Sequence, residues 1–170
     1  MYQNTTLKMK KTIHLIIALI MLLAYSCNFS VGSEKDLSTG LSFQYKGFRV
    51  GDVSLIDSAN QKLSSNQIPF NTRIGFLVSG LSNFTIKNGL VFPGMTVEIT
   101  DKHGAPVVGA SPDLFSQTSG FSPTEASVLL GSAMIGAPMK QGETYHLKTH
   151  VWDKNDAGNI LDAQVEIIVK

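Results

Sequence analysis

The chain of 170 residues has little of what marks a disulfide-stabilised, disordered or nucleic-acid-binding protein. It contains one cysteine, so it has no pair to form an internal disulfide. All 13 acidic residues lie after residue 27, together with 11 of the 14 basic residues, which gives that part a formal charge of −2. It also has no basic run, and a slightly acidic surface disfavours nucleic-acid binding. With 43% apolar residues, the composition is that of a globular protein.

The longest apolar run lies near the start and is too short for a permanent membrane span. Residues 13–25 are apolar except for His14, and they follow the basic stretch 8–11. A helix of that length covers about 20 Å, whereas the hydrocarbon core of a bilayer is about 30 Å thick. A basic region, an apolar region and then a small residue predict an export signal over residues 1–26. Met9 begins a more usual start for such a signal, so two start positions stay open.

The only cysteine stands directly behind this apolar run. Residues 23–27 read Leu-Ala-Tyr-Ser-Cys and resemble the lipobox of bacterial lipoproteins, although Ala24 and Tyr25 depart from its commonest form. The resemblance implies cleavage between Ser26 and Cys27 and acylation (palmitate or a similar chain) of Cys27. Each buried methylene contributes about 0.8 kcal/mol, so two or three acyl chains hold a protein on a membrane. The alternative is an ordinary cleaved signal that leaves an unpaired thiol.

Residues 27–40 are polar and contain serine and glycine, which predicts a flexible, lipidated tether. Residues 41–170 then form one domain in which apolar and polar residues alternate with period two, the pattern of half-buried strands. The predicted strands are 42–50, 53–57, 74–79, 90–92, 96–100, 127–135, 144–152 and 163–169. A capping box at 122–125 predicts one short helix. The sequence therefore predicts an all-β, immunoglobulin-like β-sandwich of seven or eight strands.

Three predicted strands end in aspartate, at Asp57, Asp101 and Asp153, and a polar turn follows each of them. An aspartate at the first turn position accepts a hydrogen bond from the backbone two residues on. We therefore expect three hairpin entries, with positive φ at Gly104 and Gly158.

Two groups of residues resemble metal sites. His146 and His150 have a zinc-binding spacing for a helix, but on a strand they are about 13 Å apart, too far for one ion. We expect them instead on a polar outer face with Lys148 and Trp152. The second group has the oxygen-bearing side chains that calcium prefers, but its spacing does not complete an EF-hand, so we expect a solvated turn, with calcium binding as the alternative. Its members are Asp153, Asn155, Asp156, Asn159 and Asp162.

The chain has no nucleophile elbow, phosphate-binding loop or Cys-His pair, so no catalytic residue is predicted. A hydrolase would have to bring scattered residues together, for instance a serine with His103 and Asp113. Residues 57–59 read Asp-Ser-Ala and resemble a short O-glycosylation acceptor motif of Bacteroidetes-type bacteria, with Ser58 as the acceptor. As an ordinary turn, the same residues need no glycan.

Several short motifs lie at strand ends and turns: Gly89-Leu-Val-Phe-Pro-Gly-Met95, Asp101-Lys-His-Gly104, Asp113-Leu-Phe115, Pro138-Met139 and Val151-Trp-Asp-Lys154. In these motifs the stretch 81–169 resembles the small lipoproteins of Bacteroidetes-type bacteria. That family offers no activity to carry over. The resemblance implies only the fold and a lipid-anchored location at the outer membrane, on its periplasmic or cell-surface face.

The function expected from these features is a non-catalytic binding or scaffolding module of the cell envelope. It would reach the membrane through its lipid anchor, need no cofactor, and have a protein or glycan partner. The alternative is a surface lipoprotein that binds a carbohydrate or another small ligand through exposed aromatic residues such as Trp152 or Phe92. An enzyme, most simply a hydrolase, is the third and least supported class.

Overall fold

The computed structural model describes residues 30–108 and 111–170, which form ten strands and one 3-10 turn. The elements are β1 (Val31–Lys35), β2 (Ser42–Lys46), β3 (Asp52–Asp57), β4 (Gln67–Ile68), β5 (Thr72–Ser79), β6 (Pro93–Asp101), β7 (Pro106–Val108), the 3-10 turn (Glu125–Ser127), β8 (Val128–Ile135), β9 (Thr144–Asp153) and β10 (Asp156–Val169). Within these ranges, no helix has the length and apolarity needed to cross a membrane.

The larger sheet follows the order β1-β2-β10-β9-β6-β7, and the short β4 pairs with β10 outside this order. Its neighbours are antiparallel, except that β4 and β10 run parallel. The long hairpin of β9 and β10 forms its centre. Alternate residues of β9 are buried, namely Tyr145, Leu147, Thr149 and Val151. The period-two pattern therefore places one face of the strand in the core, as the sequence predicts.

The smaller sheet is antiparallel and has the order β3-β5-β8. Side chains from both sheets meet in one hydrophobic core, in which Leu55 and Phe76 come from the smaller sheet and Met95, Leu147 and Leu161 from the larger one. Two sheets packed over a common core form a β-sandwich. The predicted all-β class is confirmed, whereas the immunoglobulin-like character stays a prediction.

The tether prediction is wrong for residues 31–40. Val31–Lys35 forms β1, which pairs with β2 along its whole length. Asp36 begins the connecting turn, where its Oδ1 accepts the backbone N–H of Ser38 at 2.9 Å. Gly32 leaves room for the Tyr45 ring, which lies where a β-carbon at position 32 would stand. Pairing with β2 therefore orders a segment that has no alternating apolar pattern of its own.

Other differences concern short elements. Residues 90–92 form no strand: Leu90 and Val91 make only isolated bridges, with Lys87 and Phe121 respectively. The predicted helix is a single 3-10 turn, although its capping box is present: Ser122 Oγ accepts the N–H of Glu125, and the Glu125 carboxylate accepts the N–H of Ser122. A chain that must enter β8 directly after this turn has no room for a longer helix.

The three hairpin entries are confirmed. In each, the aspartate Oδ1 accepts a backbone N–H two residues on, at 2.8 Å from Ala59 to Asp57, 2.8 Å from His103 to Asp101, and 2.9 Å from Asn155 to Asp153. Gly104 has the predicted positive φ, at 84°. The prediction for Gly158 is wrong, since this residue is not among those with positive φ. It lies within β10, after the turn, at a register shift between residues 156 and 160 that forms a bulge.

Candidate functional site

The outward side of the larger sheet carries a continuous set of polar side chains. On β9, His146, Lys148, His150 and Trp152 are half-exposed and alternate with the buried residues, so the predicted face is confirmed. Cross-strand pairing adds outward residues of β2, β10 and β6 that the sequence alone did not assign to this face: Gln44, Asp162, Gln164, Thr96 and Glu98. These side chains together are the polar face. The alternation of these residues with buried ones can be read from the sequence. Which residues lie opposite each other on adjacent strands cannot.

The centre of the polar face is a contact between His150 and Asp162. The two residues are directly opposite each other in the β9–β10 register, and His150 Nδ1 lies 2.7 Å from Asp162 Oδ1. Their side chains are 44% and 46% exposed, so a ligand can reach both of them. Gln44 flanks Asp162 on β2, and Thr96 flanks His150 on β6. These four residues form one row across β2, β10, β9 and β6, which therefore offers hydrogen-bond donors and acceptors side by side.

The neighbouring row places opposite charges next to each other. Lys148 lies between Glu98 of β6 and Gln164 of β10 in the register. Both rows line a shallow cavity of about 410 Å³ that is open to solvent. Because its lining mixes one cation, Lys148, with two carboxylates, Glu98 and Asp162, this cavity favours a polar ligand of low net charge over a polyanion.

Trp152 borders the same rows on the side toward the end of β9. Its indole lies directly over Gly94, where a β-carbon would collide with the ring. It also stacks beside His150, with ring centroids 5.3 Å apart and an angle of 21° between the planes. A glycine opposite the tryptophan thus seats a large aromatic ring against the sheet, next to the polar centre. An aromatic surface beside hydrogen-bonding groups is the composition of many small-molecule binding sites.

The hydrolase combination is not assembled in the structure. Asp113 lies beside Met95, whose backbone N–H it accepts at 3.1 Å. His103 follows Asp101, at the other end of β6. Met95 and Asp101 are six residue steps apart along the strand, a distance of about 20 Å. His103 and Asp113 therefore cannot act on one substrate atom.

Asp113 instead holds the segment after residue 110 against β6. It pairs with Lys154, whose Nζ lies 2.6 Å from its Oδ2, and it accepts the N–H of Phe115 at 3.0 Å. Burial acts to raise the pKa of Asp113, but the Lys154 hydrogen bond and the backbone N–H donors outweigh it, so the pKa lies below its usual value of 3.8. This contact joins distant parts of the chain, so no local sequence pattern predicts it.

The three carboxylates among the candidate calcium ligands have separate partners. Asp153 is 2% exposed, and its Oδ2 accepts the N–H of Thr85 at 2.6 Å. Asp156 accepts the N–H of Gly158 at 2.8 Å, and Asp162 contacts His150 on the polar face. The described ranges contain no group of three or more histidine, cysteine or acidic side chains able to hold a metal ion. Asn155 and Asn159 also belong to the Asp153 network, through a backbone N–H and a side-chain amide respectively.

The remaining candidate residues lie apart from the polar face. Ser58 is exposed in the turn after β3, as an acceptor of a glycan would have to be. Phe92 is half-buried and lines a second cavity of about 410 Å³ with Leu90 and Lys154. Ser26 and Cys27, the predicted cleavage and acylation positions, lie outside the described residues.

No known protein-family model matches the chain, and no curated protein is significantly similar to it in sequence. The assignment of a function therefore depends on the residues and their geometry alone.

Proposed function

We propose that the chain is a lipid-anchored protein of the outer membrane whose β-sandwich is a non-catalytic binding module, with the polar face as its binding surface. One observation carries the choice of surface: His150, Asp162, Lys148 and Glu98 lie side by side on one solvent-exposed sheet face that also borders a half-buried tryptophan. These groups can orient a polar partner by hydrogen bonds. The partner is a protein or a glycan outside the cytoplasm.

The anchor is proposed from the lipobox-like segment, as in the small lipoproteins of Bacteroidetes-type bacteria. Metabolic labelling with a palmitate analogue in a bacterium expressing the full chain tests it. We expect label on the wild type and on Ser26→Ala, because alanine keeps a small residue before the cut, and no label on Cys27→Ala. Equal label on the wild type and Cys27→Ala would refute the anchor and leave the polar face untouched.

A second candidate function is favoured by the position of Trp152. The Trp152 indole stacks on His150, which is followed across the sheet by Asp162 and Gln44. This combines an apolar ring surface with hydrogen-bonding groups, which is what the alternating C–H and O–H groups of a sugar ring require. The binding module would then recognise a carbohydrate or a similar small polar ligand.

The single tryptophan of the chain makes this candidate measurable, because its fluorescence reports on that site alone. We expect hits on a glycan array whose sugars change the emission of Trp152. Asp162→Asn should weaken binding at least tenfold. Asp156→Asn is the matched control, since Asp156 is the exposed first residue of β10, next to the turn, and does not line the cavity of the polar face. A silent array together with unchanged emission would count against a sugar ligand.

A further inference from the structure

Strand β8 is an open edge of the smaller sheet. It pairs with β5 on one side over all eight of its residues. On its other side, no strand of the described ranges pairs with it. The backbone N–H and C=O groups on that side can therefore pair with another strand.

The side chains of β8 make this edge apolar. Its sequence, Val-Leu-Leu-Gly-Ser-Ala-Met-Ile, contains no charged residue and no proline. On the outward face, Val128 is 52% exposed, Leu130 44% and Met134 50%. Leu77 of β5 lies opposite Leu130 and extends the apolar surface. A long, uncharged edge strand with exposed apolar side chains is a site at which another strand adds to a sheet.

The other sheet ends carry the features that prevent such pairing. Edge strand β1 contains Glu34 and Lys35. At the opposite end, β7 has only three residues and begins with Pro106. In the smaller sheet, β3 contains two aspartates, and the following chain pairs with its outer side through the bridge of Ile56 with Lys62. Among these described edges β8 alone has neither a charge, nor a proline, nor a covering segment.

We propose that β8 pairs with β8 of a second copy of this chain, antiparallel across a two-fold axis, so that two three-stranded sheets become one sheet of six strands. An uncharged strand meets its own copy without like-charge repulsion, which is the condition that a self-complementary interface has to satisfy. If the two-fold axis passes at Gly131, the outward side chains of both copies lie on the same face of the joined sheet. This axis places Val128 opposite Met134 of the second copy and Leu130 opposite Ser132 of the second copy.

The stoichiometry of the full chain tests this interface. In sedimentation velocity of the membrane-extracted protein in mild detergent, we expect a dimer for the wild type. Leu130→Lys puts two ammonium groups near the axis and should raise the dimer dissociation constant at least tenfold while leaving the thermal unfolding temperature nearly unchanged. The matched control is Ile86→Lys, because Ile86 is 59% exposed and lies outside β8. We expect this variant to remain dimeric.

Cysteine pairing tests the register. Leu130→Cys and Ser132→Cys, coexpressed as two separately tagged chains, should form a mixed disulfide-linked dimer on oxidation, because directly opposed strand residues are within disulfide range. Leu130→Cys coexpressed with Ile86→Cys should not form one. A wild-type monomer at all concentrations, or a dimer unaffected by Leu130→Lys, would overturn the proposal. So would capture of a different protein on β8 by a chain that never self-associates. None of these results bears on Cys27 or the polar face.

Discussion

The Asp153 carboxylate joins three parts of the chain, and its removal should weaken the fold. It is 2% exposed, it accepts the N–H of Thr85 at 2.6 Å and that of Asn155 at 2.9 Å, and the side chain of Asn159 lies 3.5 Å away. Thr85 belongs to the loop between β5 and β6, and Asn155 to the turn between β9 and β10. Asp153→Ala leaves these donors without an acceptor.

The expected magnitude follows from the number of donors. A buried donor left unpaired costs about 1–3 kcal/mol. Since Thr85 and Asn155 are half-buried and water can partly replace the lost acceptor, we expect a total loss of about 2–4 kcal/mol. In a protein of this size each kcal/mol lowers the unfolding temperature by about 2–4 °C. Asp153→Ala should therefore lower it by about 4–16 °C.

Thermal and urea unfolding followed by circular dichroism measure this effect. Asp156→Ala is the matched control, because Asp156 is exposed and accepts one turn N–H, and its change should stay below about 1 kcal/mol. Asp153→Asn, which retains one carbonyl oxygen, should fall between the two. Equal unfolding temperatures for Asp153→Ala and Asp156→Ala would refute the reasoning. A calcium-dependent rise in the wild type that Asp153→Ala abolishes would also refute it, by making Asp153 a metal ligand.

Two further predictions concern stability. Lys154→Met should lower the free energy of unfolding by about 1–3 kcal/mol at pH 7, because it removes a charge-assisted hydrogen bond to Asp113. Since the folded-state pKa of Asp113 lies below its usual value, this stabilisation is complete above about pH 4 and is lost as the pH falls through the folded pKa. Urea unfolding at pH 7 and pH 3 measures it, and a loss that does not shrink at pH 3 would contradict the assignment. Gly75→Ala should cost about 1–3 kcal/mol, because its β-carbon would stand 2.6 Å from the carbonyl oxygen of Gly131, which is backbone and cannot rotate away. Gly136→Ala is the control, since its nearest neighbour is a side-chain atom at 3.1 Å, and equal unfolding temperatures for the two variants would contradict this prediction.

Local patterns predicted what depends on local chemistry. The alternation in 144–152 gave both the strand and its buried face, because the pleat alone decides which side chains share a side. The turns at Asp57, Asp101 and Asp153 were predicted correctly, because each aspartate accepts a hydrogen bond from a backbone N–H that is two residues ahead in the sequence. The capping box was also predicted correctly, because both of its hydrogen bonds join Ser122 and Glu125, which are three residues apart.

Contacts between distant segments could not be predicted in this way. The tether prediction failed because β1 has no alternating apolar pattern and owes its order to pairing with β2. The contact of His150 with Asp162 depends on the β9–β10 register, which a bulge near residue 158 shifts. The pairing of Asp113 with Lys154 joins residues from different loops. In each case the partner is set by how distant segments of the chain come together and not by neighbours in sequence.

The central claim, that the binding domain is carried on a lipidated Cys27, is tested most directly by intact and N-terminal mass spectrometry of the mature protein extracted from membranes. We expect a chain that begins at Cys27 and whose mass is raised by two or three fatty acyl groups on that residue. An unmodified Cys27 thiol, or a mature chain that begins after residue 27, would contradict it.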